Sequence, residues 1–269
     1  MLDPGVPRLS DKGDFQSQFS SPELFAEEPK RGEWMARFAR VIAVGIPHHI
    51  TQRGNARRFI LQDEADRKVY LDLLRQSMEQ HGVALIGYCL MSNHVHLVAV
   101  PRKADVLART LKETHGRFAS YWNALHHSTG HVWQGRYYSC PLDEPHLWEA
   151  LRYTELNPVR ASLVGRAECW DWSSAAAHCV QDSPEAWLAM HLWRGRWSAV
   201  TWRAYLDAGV AESQLTAIRR STYSGRPLGS QEFTRTLEKE TKRRLAPQKR
   251  GPKKKTDTSE NQETFFFGA

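Results

Sequence analysis

Cysteine is scarce in this 269-residue chain, and the four present (Cys89, Cys140, Cys169 and Cys179) form no CxxC pair. That argues against a disulfide framework or a cysteine-rich zinc module. It leaves scattered, reduced thiols, as expected of a cytoplasmic protein. Long apolar runs are also missing. None approaches the ~18 residues of a membrane span, so no membrane partner is expected. The opening residues, MLDPGVPRLSDKGDFQ, lack the apolar centre of a secretory signal. No segment repeats at a fixed period. One stretch, KRRLAPQKRGPKKK (residues 242–255), lacks acid altogether and holds eight basic residues.

What is present sets the class. Hydrophobic residues make up 41% of the chain, enough for a packed core, and the net charge is +7. Residues 1–33 carry seven acidic and four basic residues, with no apolar periodicity. Residues 1–34 are therefore expected to be disordered. The basic tail over a moderately basic body points to a polyanionic partner, of which nucleic acid is the commonest. The plain alternative is a solubilising, disordered end.

The ordered part begins at Met35. VIAVGIPHHITQRG reads as a β segment, with Pro47 suggesting an edge or a bulge. Asp63–Gln80 reads as a helix, ended by His81-Gly82. VALIGYCLM and HVHLVAV read as a hairpin around Met91-Ser92-Asn93. Ala104–Leu125 is a second helix, and RYYSCPL a further strand. Asp143 caps a helix that carries Pro145 in its first turn and meets Pro158. The order β-α-β-β-α-β is that of an α+β, ferredoxin-like antiparallel sheet with both helices on one face. A helical, tryptophan-rich extension over 181–241 and a disordered basic tail over 242–269 are expected to follow a domain of 35–180. WDWSS (170–174) is expected to close that domain, with its tryptophans as core.

Alternation in HVHLVAV places His94, His96 and Val98 on one strand face, and Val95, Leu97 and Ala99 on the other. The apolar set suits the sheet-helix interface, which leaves both histidines on the open face. Two imidazoles at this spacing can converge on one ion. They can equally be two half-exposed histidines with no shared task. Tyr153 and Asn157 are four apart on the polar stripe of the third helix, with Glu149 and Arg160 beside them. Asn157 before Pro158 is a common helix stop, yet its amide oxygen could also be a third ligand for a hard divalent ion. His48, His49, His81, His126, His127 and His131 read as surface or structural, with the alternative that His48 or His49 lies near the site on the first strand.

HHITQRGN, MSNHVHLV, VWQGRYYS and YTELNPVRASLV together resemble the HUH-class single-tyrosine transposases, and among them the REP-associated tyrosine transposases, over roughly residues 36–180. The tail sequences GSQEF and KRGPKKK are similar to those of members with a C-terminal extension. The long N-terminal segment departs from the pattern. The resemblance implies a nucleophile at Tyr153 and metal ligands at His94, His96 and Asn157, with Mg²⁺ or Mn²⁺ as the ion. It implies single-stranded DNA with hairpins as substrate, cut beside a short guide sequence and held as a 5′-phosphotyrosine. Members act as monomers or homodimers. Arg53 and Arg136 are candidates for phosphates, Trp133, Tyr137 and Tyr138 for unpaired bases. Lys249, Arg250, Lys253, Lys254 and Lys255 are candidates for DNA contact in the tail. No residue stands out as the general base; Glu149 is one turn from Tyr153. Two other classes stay open: a DNA-binding regulator that keeps the fold without activity, and a metal-dependent hydrolase that uses only the two histidines.

Overall fold

The computed structural model describes residues 39–180 and 187–246. The chain enters through β1 (His48–Arg53) and a helical α1 (Glu64–His81), then β2 (Val83–Leu90), β3 (His94–Pro101), α2 (Val106–Leu125), β4 (Tyr138–Pro141) and α3 (Glu144–Glu155). Shorter helices follow: α4 (Asn157–Arg160), α5 (Ala175–Cys179), α6 (Met190–Arg194), α7 (Ala199–Asp207), α8 (Glu212–Ser224) and α9 (Gln231–Thr241). The sheet order is β2-β3-β1-β4 with every neighbouring pair antiparallel, which is the ferredoxin-like arrangement. Among the described residues no helix is long and apolar enough to cross a membrane.

Local sequence explains the main elements. α1 buries Tyr70, Leu73, Leu74, Ser77 and Met78, a stripe at helical spacing, and ends on Gly82 in the left-handed conformation (φ 70°). α1 and α2 pack on each other and on β2. They cover the sheet face that carries Ile50, Val95 and Leu97, each fully buried. α3 starts at Asp143, whose carboxylate accepts from the His146 amide, with Pro145 in its first turn.

Three details differ from the sequence reading. β1 starts only at His48 and pairs on both sides, so it is an interior strand rather than an edge. Gly45 (φ 74°) and Pro47 turn the chain just before it. Val41 and Ala43 pack instead with Leu237 and Leu245 from the other end of the described chain. The expected tail boundary at Lys242 therefore falls inside packed structure. Glu238 accepts from the Leu245 and Ala246 amides at 2.6 and 2.9 Å, and Leu245 is fully buried. Trp170 and Trp172 are half-buried, stacked by the Arg67 guanidinium at 5.2 and 5.4 Å, rather than core. Their segment closes the open edge of β2 through Leu90 N–H to Trp172 O, 2.8 Å.

The second sheet face is not open. α3 lies across β1, β2 and β3, and it comes close enough that a Cβ on Gly87 would stand 2.3 Å from Leu151 Cδ1. Glycine at 87 is what lets the helix sit there. α8 packs on β4, β1 and α3 beside it. The helical extension thus covers the face that carries the histidines.

Candidate active site

The β1–β3 register sets Thr51 opposite His96 and Arg53 opposite His94, so His49, Thr51, Arg53, His94 and His96 share one face. On that face the His94 and His96 rings meet edge to face, 5.0 Å between centroids. α3 lowers Tyr153 onto them. Its ring stands edge-on to His96 at 5.4 Å and to His49 at 5.6 Å. The sequence-predicted pair of histidines and the tyrosine are therefore brought together.

Tyr153 is not on a solvent-facing stripe, as the helical pattern suggested. It is 4% exposed and packs with Cys140, Ala150, Leu215 and Ile218. Leu215 and Ile218 come from α8, far along the chain, which is why local periodicity mislabels this side of α3. Glu149 is drawn the same way: its carboxylate accepts from Gln214 Nε2 of α8 at 2.7 Å. The nearer charge is Arg160, whose guanidinium carbon lies 4.3 Å from the Tyr153 ring centre.

The sequence offered His49 only as one of two first-strand histidines that could lie near the site; it is at the centre. Its Nδ1 is 2.7 Å from Thr222 Oγ1 on α8, and its Nε2 is 3.0 Å from His96 Nδ1. The two rings are nearly coplanar, 13° between planes, with centroids 5.2 Å apart. The one available signal was its parity with Thr51 and Arg53 on a strand that pairs with the HxH strand.

Burial holds the His49 and His94 imidazoles down at about 3, helped by Arg160 at His49 and by Arg53 and then Arg160 at His94. Burial also pushes His96 well below its ordinary value, with the neighbouring His94 and His49 and both arginines adding to it. Neutral imidazoles are the ligating form. Asn93 Oδ1, an acceptor, lies 2.6 Å from His94 Nδ1, so that nitrogen carries the proton and Nε2 the lone pair. His96 Nδ1 is engaged by His49, which leaves its Nε2. α3 ends at Glu155, and Asn157 opens α4 after a break at Leu156. Its Nδ2 makes only 3.5 Å contacts to the Tyr153 and Thr154 carbonyls. Among the described residues no three His, Cys, Asp or Glu side chains are grouped to hold an ion. Two imidazole nitrogens completed by an amide oxygen would be a different donor set, borderline in character, that keeps coordination positions open.

The other candidates separate. Arg53 is buried in the sheet beside His94. Trp133 is core: its Nε1 donates to the His115 carbonyl at 2.9 Å, and its ring packs on Tyr70 and Phe118. Arg136 is exposed and lines a small groove with Arg40, Tyr137, Tyr138 and Tyr223, between β4 and the end of α8. Arg40 sits over Tyr137 at 3.9 Å, and Tyr138 meets Tyr223 edge to face at 4.9 Å. Lys249, Arg250, Lys253, Lys254 and Lys255 lie outside the described residues, as do residues 1–38.

Residues 43–157 match the sequence profile of the IS200-like transposases. Two solved structures are similar at low identity. A REP-associated tyrosine transposase bound to a REP hairpin is 16% identical, with a TM-score of 0.47 over 54% of this chain and 85% of that one. A candidate transposase from Deinococcus radiodurans R1 is 22% identical, with a TM-score of 0.32 over 45% of this chain and 98% of that one. No curated protein matches the chain.

Proposed function

Because residues 43–157 match the sequence profile of the IS200-like transposases, we propose that the chain is a transposase of that kind, which cuts and rejoins single-stranded DNA at hairpin-flanked sites with Tyr153 as nucleophile. The observation that carries this reading is the meeting of Tyr153 with His96 at 5.4 Å on a face that also holds His94, under the Arg160 cation.

In this reading the Tyr153 oxygen attacks the scissile phosphorus. The bond from phosphorus to the 3′ oxygen breaks, and that oxygen leaves as a 3′-hydroxyl after taking a proton. The 5′-phosphate stays on the tyrosine, and attack by a second 3′-hydroxyl restores a phosphodiester and frees Tyr153. The phenol ordinarily titrates near ~10, so the attacking phenolate needs a nearby positive charge, and Arg160 supplies one. Arg53 adds a second beside His94. His94, His96 and Asn157 would hold Mg²⁺ or Mn²⁺, which supplies Lewis-acid charge at the phosphate when bound. Tyr153 is 4% exposed and packs with Leu215 and Ile218 of α8, so its ring is held from that side. The groove of Arg136, Tyr138 and Tyr223 offers cations and rings to unpaired nucleotides. The motif resemblance supplies the hairpin and the guide sequence.

The test is incubation of labelled single-stranded hairpins with the protein and Mn²⁺, read on a denaturing gel and mapped by mass spectrometry. A covalent adduct on the peptide holding Tyr153 is expected, and Tyr153→Phe should abolish it with the hairpin still bound. Tyr138→Phe should keep the adduct. Cutting without any adduct would favour a metal hydrolase, and binding without cutting a regulator; either would sink the transposase reading.

A further inference from the structure

A hydrogen-bond chain runs from α8 to the sheet, and its direction can be fixed from the far end. The Ile218 carbonyl oxygen only accepts, and the Thr222 hydroxyl donates to it at 2.7 Å. Thr222 Oγ1 is then left to accept from His49 Nδ1–H at 2.7 Å. A proton on Nδ1 of neutral His49 puts its lone pair on Nε2. That nitrogen stands 3.0 Å from His96 Nδ1, which must therefore carry the His96 proton. Neutral His96 then has its free lone pair on Nε2. Both rings are buried, at 1% and 5% exposure, where a cationic imidazole is costly.

We propose that His49, backed by Thr222, is a positioning residue that fixes His96 in the Nδ1–H tautomer and aims its Nε2 lone pair at a divalent cation. The two rings lie nearly coplanar, 13° between planes, so the hydrogen bond that sets the His96 proton also holds its plane. Asn93 does the same for His94 from within the hairpin, but the support for His96 comes from α8. The C-terminal helices are thereby part of the site rather than an appended module. Partners of this kind orient a ligating histidine and raise its affinity for the ion. The inference rests on the reading of His94 and His96 as ligands.

Two measurements on the full chain separate this role from simple packing. Nitrogen-15 NMR of the metal-free protein reads the tautomer directly: His96 should be protonated on Nδ1, and Thr222→Val should shift His96 toward a mixture of tautomers. Calorimetric titration with Mn²⁺ should show His49→Phe binding roughly 10–100-fold more weakly than wild type. His49→Gln can accept from His96 and donate to Thr222, so it should recover most of that loss. If His49→Phe does not fold, Thr222→Val decides by both readouts. An Nε2–H tautomer in the wild type, or unchanged Mn²⁺ affinity in His49→Phe, overturns the role of His49 and leaves the ligand reading standing. The expected tautomer in a protein that binds no Mn²⁺ overturns the ligand reading instead, and with it the purpose assigned to His49.

Discussion

Arg160 grips Tyr153 twice: its guanidinium carbon is 4.3 Å from the ring centre, and its Nη1 donates to the Tyr153 carbonyl at 2.9 Å. The short α4 turn after Pro158 brings the arginine back over the residue seven positions earlier. The same cation opposes charge on His49, His94 and His96. It therefore keeps the imidazoles neutral while it stands over the ring whose oxygen the proposed reaction uses.

The first prediction follows. Arg160→Gln keeps a donor for the carbonyl but removes the cation. Adduct formation should slow by roughly 10–100-fold, in line with loss of one electrostatic partner at a reacting group. Mn²⁺ affinity should stay equal or tighten, because a repelling charge has gone. Single-turnover gels and calorimetry measure the two effects separately. A variant that loses Mn²⁺ binding and keeps its cleavage rate would contradict this division of labour.

Glu155, two residues after Tyr153, is fully buried and carries three hydrogen bonds. Its Oε1 accepts from Ser174 Oγ and His178 Nδ1, both at 2.6 Å, and its Oε2 from Trp202 Nε1 at 2.8 Å. It ties α3 to α5 and α7. Glu155→Ala would leave the His178 and Trp202 donors buried without an acceptor, while Ser174 Oγ keeps the Tyr88 carbonyl at 3.3 Å, a loss of about 3–5 kcal/mol. Urea unfolding followed by tryptophan fluorescence measures it. A loss below 1 kcal/mol (~5-fold in the folding equilibrium) would show that the cluster is not what holds α3.

The sequence carried the parts of this site that depend on local period. Two-residue alternation placed His94 and His96 on one face away from Leu97, and the element order carried the sheet topology. It missed what depends on distant covering. His49 looks like any strand histidine until Thr222, 173 residues away, is set against it. Tyr153 looks solvent-facing because polar neighbours flank it, while the apolar partners that bury it, Leu215 and Ile218, sit on α8. Arg160 was read as one more stripe residue because Pro158 hides the turn that folds it back. Periodicity states which face a side chain takes; it does not state what will come to lie on that face.

Buried neutral histidines make a pH prediction. Burial lowers His48 to about 4, and His49, His94 and His115 to about 3. In the unfolded chain each titrates near ~6.5. Below that pH the unfolded state binds more protons than the native one, so stability falls as pH falls. It is fully present above pH ~6.5 and lost progressively toward the folded values, at about 1.4 kcal/mol per pH unit for each residue. Urea midpoints should be level between pH 8 and 7 and drop steeply between pH 6.5 and 5. Level midpoints down to pH 5 would mean that these rings are solvated in solution.

The last prediction concerns the basic end, and the fold decides where to cut. Truncation after Thr241 would remove Leu245, which is fully buried with Val41 and Leu237, and the carbonyl that Arg226 holds. A weakened protein would then be mistaken for one that has lost DNA contacts. Charge should be removed beyond Ala246 instead, by changing Lys249, Arg250, Lys253, Lys254 and Lys255 to Gln. If these five contact phosphates of single-stranded DNA, the log–log salt slope of binding should flatten by up to about 3.5, from ~0.7 for each contact. Such contacts carry no sequence information, so the position of strand cleavage should not move. Fluorescence anisotropy across a salt series gives the slope, and gel mapping gives the cleavage position. An unchanged slope would show that the basic end does not touch DNA, and a shifted cleavage position would assign it a part in choosing the site.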